Sequence, residues 1–142
     1  MKPPDWEAQW RLALRWFQVA ETDVLAARFC MDGKPPLIGI AAYHCQQAAE
    51  KILKGLLIRA ARPVRKTHNL DAIADEVIAS TEGIADRIAF CRIFTSWGML
   101  GRYPQAGQPD TEPPTAEQVG ETAKGLAQLL EFARHLGSKT ET

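Results

Sequence analysis

The chain has 142 residues and a formal net charge of zero, with 46% hydrophobic and 24% charged residues. This length favours a single domain over residues 1–142 with one core, and the composition excludes a disordered or fibrous chain. A balanced charge also excludes a global field that would draw the protein to nucleic acid or to an anionic membrane. Any attraction of that kind must be local.

Charge is unevenly distributed along the chain. Residues 1–68 carry eleven basic and six acidic side chains, whereas residues 69–142 carry six basic and eleven acidic ones. After Glu50 comes a stretch in which basic residues occur without an acidic one: Lys51, Lys54, Arg59, Arg62, Arg65 and Lys66. This run is the marked charge feature of the sequence.

The first helix is predicted from apolar residues that recur every three or four positions over Trp6–Met31. Asp5 is its predicted cap, and the Gly/Pro-rich segment 32–36 ends it. A second helix, rich in alanine, is predicted over 37–60. Because the connection has only about five residues, the two helices should be antiparallel.

Three further helices follow. A short one is predicted over 68–80, and another from Ile84 to near Trp97. A loop over 101–114 is broken by prolines and glycines, and a capping box at 115–118 begins the last helix. No alternation typical of strands occurs, so we expect an all-α fold: a five-helix, mostly antiparallel up-down bundle.

Three cysteines, Cys30, Cys45 and Cys91, lie in apolar helical contexts and show no CxxC spacing, which indicates reduced core thiols and no metal site. No window of about 18 uninterrupted apolar residues occurs, and the first residues lack the apolar stretch of a signal peptide. We therefore expect a cytoplasmic protein with no membrane contact and no cofactor.

The second helix carries a polar stripe, because His44, Gln47, Lys51 and Lys54 follow one another at helical spacing. One interpretation is a solvated face on which Glu50 and Lys54 form an i,i+4 pair. The other is an anion site, since an imidazole, an amide and two ammonium groups can together satisfy a phosphate.

Two more segments carry polar groups that a helical bundle does not require. His68 stands at a helix start where Thr67 or Asn69 can cap, and capping does not explain its imidazole. In the later loop, Arg102 and Tyr103 either grip a phosphate or base or pack the loop onto the bundle. If they bind an anion, these segments and the Lys51/Lys54 face should converge on one pocket.

The segments AAYHCQQAAEKILKGLL (41–57), KTHNL (66–70) and RYP (102–104) resemble the HEPN domain family, of the RYP-bearing, nucleotidyltransferase-associated kind. The resemblance implies a homodimeric bundle that acts as partner of a minimal nucleotidyltransferase in a toxin–antitoxin-like pair. We expect binding of a nucleotide or RNA phosphate rather than catalysis, because this sequence lacks the late Arg–His motif of the family's ribonucleases. The phosphate-binding residues that we expect from the polar segments are His44, Gln47, Lys51, Lys54, His68, Arg102 and Tyr103.

Two alternatives stay open. Many members of this family are metal-independent ribonucleases with an Arg, four to six residues, and then a His late in the chain. This sequence lacks that late motif, but Arg62 and His68 have the spacing in the early loop, so an endoribonuclease toxin is the first alternative. The second is a structural protein–protein interaction module, indicated by four tryptophans: Trp6, Trp10, Trp16 and Trp97.

Overall fold

The structure is a computed structural model that describes residues 2–95 and 113–140. Its elements in chain order are α1 (Trp6–Met31), α2 (Ile38–Arg59), α3 (Leu70–Ser80), α4 (Ala85–Ile88), a 3₁₀-helix (Ala89–Thr95) and α5 (Ala116–His135). No strand occurs within the described residues. The predicted all-α bundle of five helices is therefore confirmed.

The two long helices form an antiparallel hairpin, as predicted. Early on α1, the ring of Phe17 lies against Gly55, late on α2. Further along α1, Asp23 bonds to Lys51 and His44, which come earlier on α2. Later positions on α1 thus contact earlier positions on α2, so the two helices are antiparallel.

Small residues allow the helices of the core to approach closely. Seven alanines on α1 and α2 have no exposed surface: Ala13, Ala20, Ala27, Ala41, Ala42, Ala48 and Ala49. Gly55 is the tightest point, because a Cβ there would lie 2.6 Å from a ring carbon of Phe17. Larger side chains at the alanines would overfill the core, and one at Gly55 would push α1 away from α2.

Three helices begin at residues that the sequence identifies as caps. Asp5, Asn69 and Thr115 each accept hydrogen bonds from backbone N–H groups in the first turn of α1, α3 and α5. At α5, the side chain of Gln118 also accepts from the Thr115 N–H, which completes the predicted capping box. Of the two possible caps of α3, Asn69 is the one used, and Thr67 accepts from the Asn69 N–H instead.

The fourth helix differs from its prediction. A continuous α-helix from Ile84 to near Trp97 was expected, whereas α4 has one turn and a 3₁₀-helix follows it as far as Thr95. The sequence ADRIAFCRIFT is rich in β-branched and aromatic residues, which favour an α-helix weakly. Three residues per turn also place Ile88 and Cys91 on the same buried side. Trp97 and most of the predicted 101–114 loop lie outside the described residues.

The cysteines are free, as the sequence indicates. Cys45 and Cys91 are fully buried, and burial raises the pKa of each thiol to about 12. Cys30 is partly exposed.

None of the helices in 2–95 and 113–140 combines the length and the apolar character that crossing a membrane requires.

Candidate functional site

Two carboxylates organise the polar stripe of α2. Asp23, from α1, binds His44 and Lys51, and we call these three residues the Asp23 cluster. Glu50, on α2 itself, binds Lys54 and the imidazole of His68 from the loop before α3. We call this second set the Glu50 cluster.

The Asp23 cluster fastens α1 to α2. Lys51 Nζ lies 2.6 Å from Asp23 Oδ2, and His44 Nδ1 lies 3.0 Å from Oδ1. The carboxylate side chain is 12% exposed and the lysine 26%, so the pair is partly shielded from water. Because an ionised carboxylate can only accept hydrogen bonds, the His44 ring carries a proton on Nδ1 in this contact.

The Glu50 cluster is more deeply buried at its centre. Glu50 Oε2 lies 3.3 Å from Lys54 Nζ, and these side chains are only 7% and 9% exposed. The other oxygen, Oε1, lies 2.9 Å from Nδ1 of His68, whose side chain is 79% exposed. A buried carboxylate therefore holds an outward-lying imidazole in a defined orientation.

The start of α3 has few backbone N–H groups left to bind an anion. Free backbone N–H groups at a helix N-terminus can bind a phosphate. The Asn69 side chain instead accepts from the N–H groups of Asp71 and Ala72, and the Asp71 carboxylate adds negative charge in the first turn. An anion at this helix end would consequently depend on side chains such as His68.

The remaining predicted residues fall in different places. Gln47 donates a hydrogen bond to the side chain of its neighbour Gln46. Arg102 and Tyr103 lie outside the described residues, so the predicted convergence of three segments on one pocket stays a prediction.

The two residues of the alternative catalytic pair have different surroundings in the described part of the chain. Arg62 lines a groove beside Arg65 and Glu76, and Arg65 pairs with Glu76 at 3.0 Å. Glu76 comes seven residues after the cap of α3, or about 10 Å along its axis, whereas His68 precedes that cap. Within the described part of the chain, no hydrogen bond or ion pair connects Arg62 with His68.

Sequence reasoning missed the role of Asp23. A signal was present, because Asp23 lies between Ala20 and Val24 on the buried stripe of α1, where a carboxylate requires a partner. The identity of the partner depends on how α1 and α2 are aligned. One of the two interpretations of the stripe paired Glu50 with Lys54 on a solvated face, and the pair exists but is buried.

The arrangement can position cations and orient imidazoles. Each carboxylate neutralises one lysine, so the excess of positive charge in this region comes from the imidazoles, when protonated, and from the basic segment that follows α2. An imidazole oriented by a carboxylate can also donate or accept a proton. Across the described residues, no group of three or more His, Cys, Asp or Glu side chains could hold a metal ion.

Comparison with known proteins gives one match. The family model described as HEPN domain matches residues 13–136, which include both clusters and the RYP segment. Neither the curated proteins nor the solved structures contain a match to this chain.

Proposed function

The chain belongs to the HEPN domain family, and we propose that it binds the phosphate of a nucleotide or of RNA at the α2 face that carries the two clusters. The proposed binding residues are His44, Gln47, Lys51, Lys54, His68, Arg102 and Tyr103. The observation that carries this proposal is the Glu50 cluster, in which a buried carboxylate holds an exposed imidazole next to a basic segment.

Fixing a side chain before the ligand arrives reduces the entropy lost on binding. The Nδ1 atom of His68 is held by Glu50, while most of the ring stays accessible to a ligand. Arg62 and Lys66 are exposed in the same loop and form no ion pair in the described part of the chain. These two residues therefore add positive charge to the loop that carries His68, and no ion pair among the described residues neutralises it.

We also propose that the protein forms a homodimer and pairs with a minimal nucleotidyltransferase in a toxin–antitoxin-like system. Support for an interface comes from Phe29, Leu37 and Ile40, large apolar side chains exposed at the turn between α1 and α2. The Leu37 N–H bonds to the Cys30 carbonyl, so this turn holds Leu37 close to the end of α1. Sedimentation equilibrium at micromolar concentration tests the dimer, and Phe29→Ser should shift it toward monomer.

The Glu50–His68 contact also favours one alternative, a metal-independent endoribonuclease. A carboxylate that orients an imidazole is the arrangement found around a general base. In this alternative His68 would accept the proton of the attacking 2′-hydroxyl, and Arg62 would stabilise the charge on phosphate. Loss of RNA cleavage in both His68→Ala and Arg62→Ala supports it, and cleavage that survives both substitutions rules it out.

Binding of a labelled single-stranded RNA across salt concentrations tests the main proposal. Lys66→Gln and Arg102→Gln should each weaken binding and lower the slope of log K against log salt by about 0.7. Arg28→Gln, which removes an exposed cation on α1, serves as the matched control and should leave both values unchanged. Lys51 is a poorer choice, because its removal also takes a partner from Asp23.

The proposal fails if wild-type protein binds neither the RNA nor a mononucleotide at low salt. It also fails if Arg28→Gln weakens binding as much as Lys66→Gln and Arg102→Gln do, because the attraction would then be a property of the whole surface. Thermal unfolding of each variant separates loss of binding from loss of fold. Exposed charges contribute little to folding, so Lys66→Gln should keep the wild-type transition.

A further inference from the structure

A groove between α1 and α2 combines apolar and cationic side chains. Its volume is about 330 Å³, and it is lined by Leu12, Arg15, Trp16, Val19 and Lys51. Lys51 also belongs to the Asp23 cluster, so the groove and that cluster share this residue. The other four residues come from α1 and have no role in the proposed phosphate site.

The groove follows from helical spacing and from one glycine. Leu12, Trp16 and Val19 are separated by four and three positions, which places them along one stripe of α1. Lys51 lies one turn before Gly55 on α2. Because Gly55 has no side chain, α1 comes close enough that a Cβ there would lie 3.3 Å from Cβ of Trp16. Because the two helices are so close here, Trp16 of α1 and Lys51 of α2 line the same groove.

The lining is unusual for a surface that water alone covers. Leu12 and Val19 are about half exposed, and Trp16 is partly exposed between them. An indole flanked by aliphatic side chains offers a planar ring a surface on which to stack, and stacking of this kind accepts any base. The volume falls at the lower end of the range for small-molecule sites.

The charges of the groove suit an anion. Lys51 Nζ is held in position by Asp23, and Arg15 is exposed with no ion pair among residues 2–95 and 113–140. Two cations against one carboxylate leave one positive charge in excess. A guanidinium that has no protein partner can form two hydrogen bonds to a phosphate.

We propose that this groove binds the base of a nucleoside monophosphate, with Trp16 under the ring and with Arg15 and Lys51 on the phosphate. The inference rests on the proposed function and extends it, because the base as well as the phosphate becomes part of recognition. Charge complementarity and the indole together select a planar aromatic anion over a second copy of the chain, whose docking would leave Arg15 without a phosphate or carboxylate partner.

Titration calorimetry with adenosine 5′-monophosphate and with ribose 5-phosphate tests the inference. The wild-type protein should bind the nucleotide about tenfold more tightly than the sugar phosphate, since stacking of one base on an aromatic side chain supplies a factor of that order. Trp16→Leu should abolish this difference, and Trp16→Phe should retain most of it. Arg15→Gln should weaken binding of both compounds by the same factor.

Arg28→Gln is again the control, because it removes a cation of α1 outside the groove and should change neither affinity. Val19→Gln replaces an exposed side chain of the lining without disturbing the core, so it should reduce nucleotide binding even if Trp16→Leu fails to fold. Circular dichroism identifies a variant that has lost its fold.

Several results would overturn the inference and leave the proposed function standing. These are equal affinity for the two compounds in the wild-type protein, nucleotide binding that survives both Trp16→Leu and Val19→Gln, and RNA binding without mononucleotide binding. A wild-type protein that binds no mononucleotide, and whose oligomer dissociates in Val19→Gln, would show that the groove is an interface between copies. Failure to bind the nucleotide, the sugar phosphate and RNA would end both proposals.

Discussion

Asp23 and Glu50 each hold one lysine and one histidine, yet the two carboxylates lie in different surroundings. Asp23 reaches from α1 to residues 21 and 28 positions later on α2, and its cluster is partly exposed. Glu50 bonds to Lys54 one turn further along the same helix, and both side chains are buried. The same three types of group are therefore used once between two helices and once between a helix and the loop that follows it.

The difference lies in what each cluster holds in place. The Asp23 cluster connects two long helices, so it contributes to their alignment. The Glu50 cluster adds little between helices, but it reaches outward to an exposed imidazole. A buried ion pair compensates its own desolvation and adds little net stability, whereas loss of either member leaves an unpaired buried charge. The role of the Glu50 cluster is therefore better explained by the orientation that it gives to His68 than by a gain in stability.

Removal of the Glu50 carboxylate should have the largest effect. Glu50→Ala leaves Lys54 buried without a partner, and we expect it to lower the free energy of unfolding by about 3–5 kcal/mol. Urea denaturation measures the change. The double variant Glu50→Leu/Lys54→Leu should recover most of the loss, because two apolar side chains need no desolvated charge. A double variant as unstable as Glu50→Ala would contradict this account.

Pushing α1 away from α2 should affect the Asp23 cluster and spare the Glu50 cluster. Gly55→Ala places a Cβ 2.6 Å from the Phe17 ring, and we expect a loss of about 1–3 kcal/mol in urea denaturation. Gly120→Ala on α5 is the matched control, since a Cβ there meets nothing within 4 Å, and it should be neutral or stabilising by up to about 1 kcal/mol. Equal effects of the two substitutions would show that Gly55 is not a point of close packing.

Neutralising Asp23 should cost less than removing Glu50. Asp23→Asn keeps the size of the side chain and weakens two charge-assisted contacts that are partly exposed, so we expect a loss of about 1 kcal/mol. Because water and ions reach this cluster, the loss should shrink when denaturation is repeated in 1 M salt. A loss as large as that of Glu50→Ala, and insensitive to salt, would remove the distinction between the clusters.

Buried thiols provide the most local probe of the fold. The pKa values of Cys45 and Cys91 are raised by burial to about 12 from an ordinary value of 9.0. Above about pH 9 the unfolded chain releases these protons while the folded protein retains them, so stability should fall as pH rises from 9 to 12. Iodoacetamide at pH 8 should modify Cys30 and spare the other two.

Iodoacetamide also tests whether the Asp23 cluster acts only on its own surroundings. Cys45 follows His44 on α2, so Asp23→Asn should speed its modification and leave that of Cys91 unchanged. Mass spectrometry of the modified peptides measures both rates. Equal acceleration at the two thiols would indicate global unfolding and would contradict a local role for the Asp23 cluster.

Local signals in the sequence determined the helices of this protein. The periodicity of apolar residues placed α1 and α2 within a residue or two of their observed ends, and Asp5 and Thr115 were identifiable as caps. These features depend on residues within about one helical turn, so they can be predicted without knowledge of the tertiary structure. The 3₁₀-helix was not predicted, since the three-residue spacing of the buried Ile88 and Cys91 fits a helical period of either kind.

Tertiary structure alone decided which polar groups of different segments meet. The stripe on α2 was visible in the sequence, but the partnership of Lys51 with Asp23 spans 28 positions and depends on the alignment of two helices. That alignment is set where Phe17 packs against Gly55, a contact no local pattern specifies. The groove at Trp16 depends on the same close approach. Pairing between distant residues follows from how whole helices pack, and this is why the sequence predicted the helices and not the clusters between them.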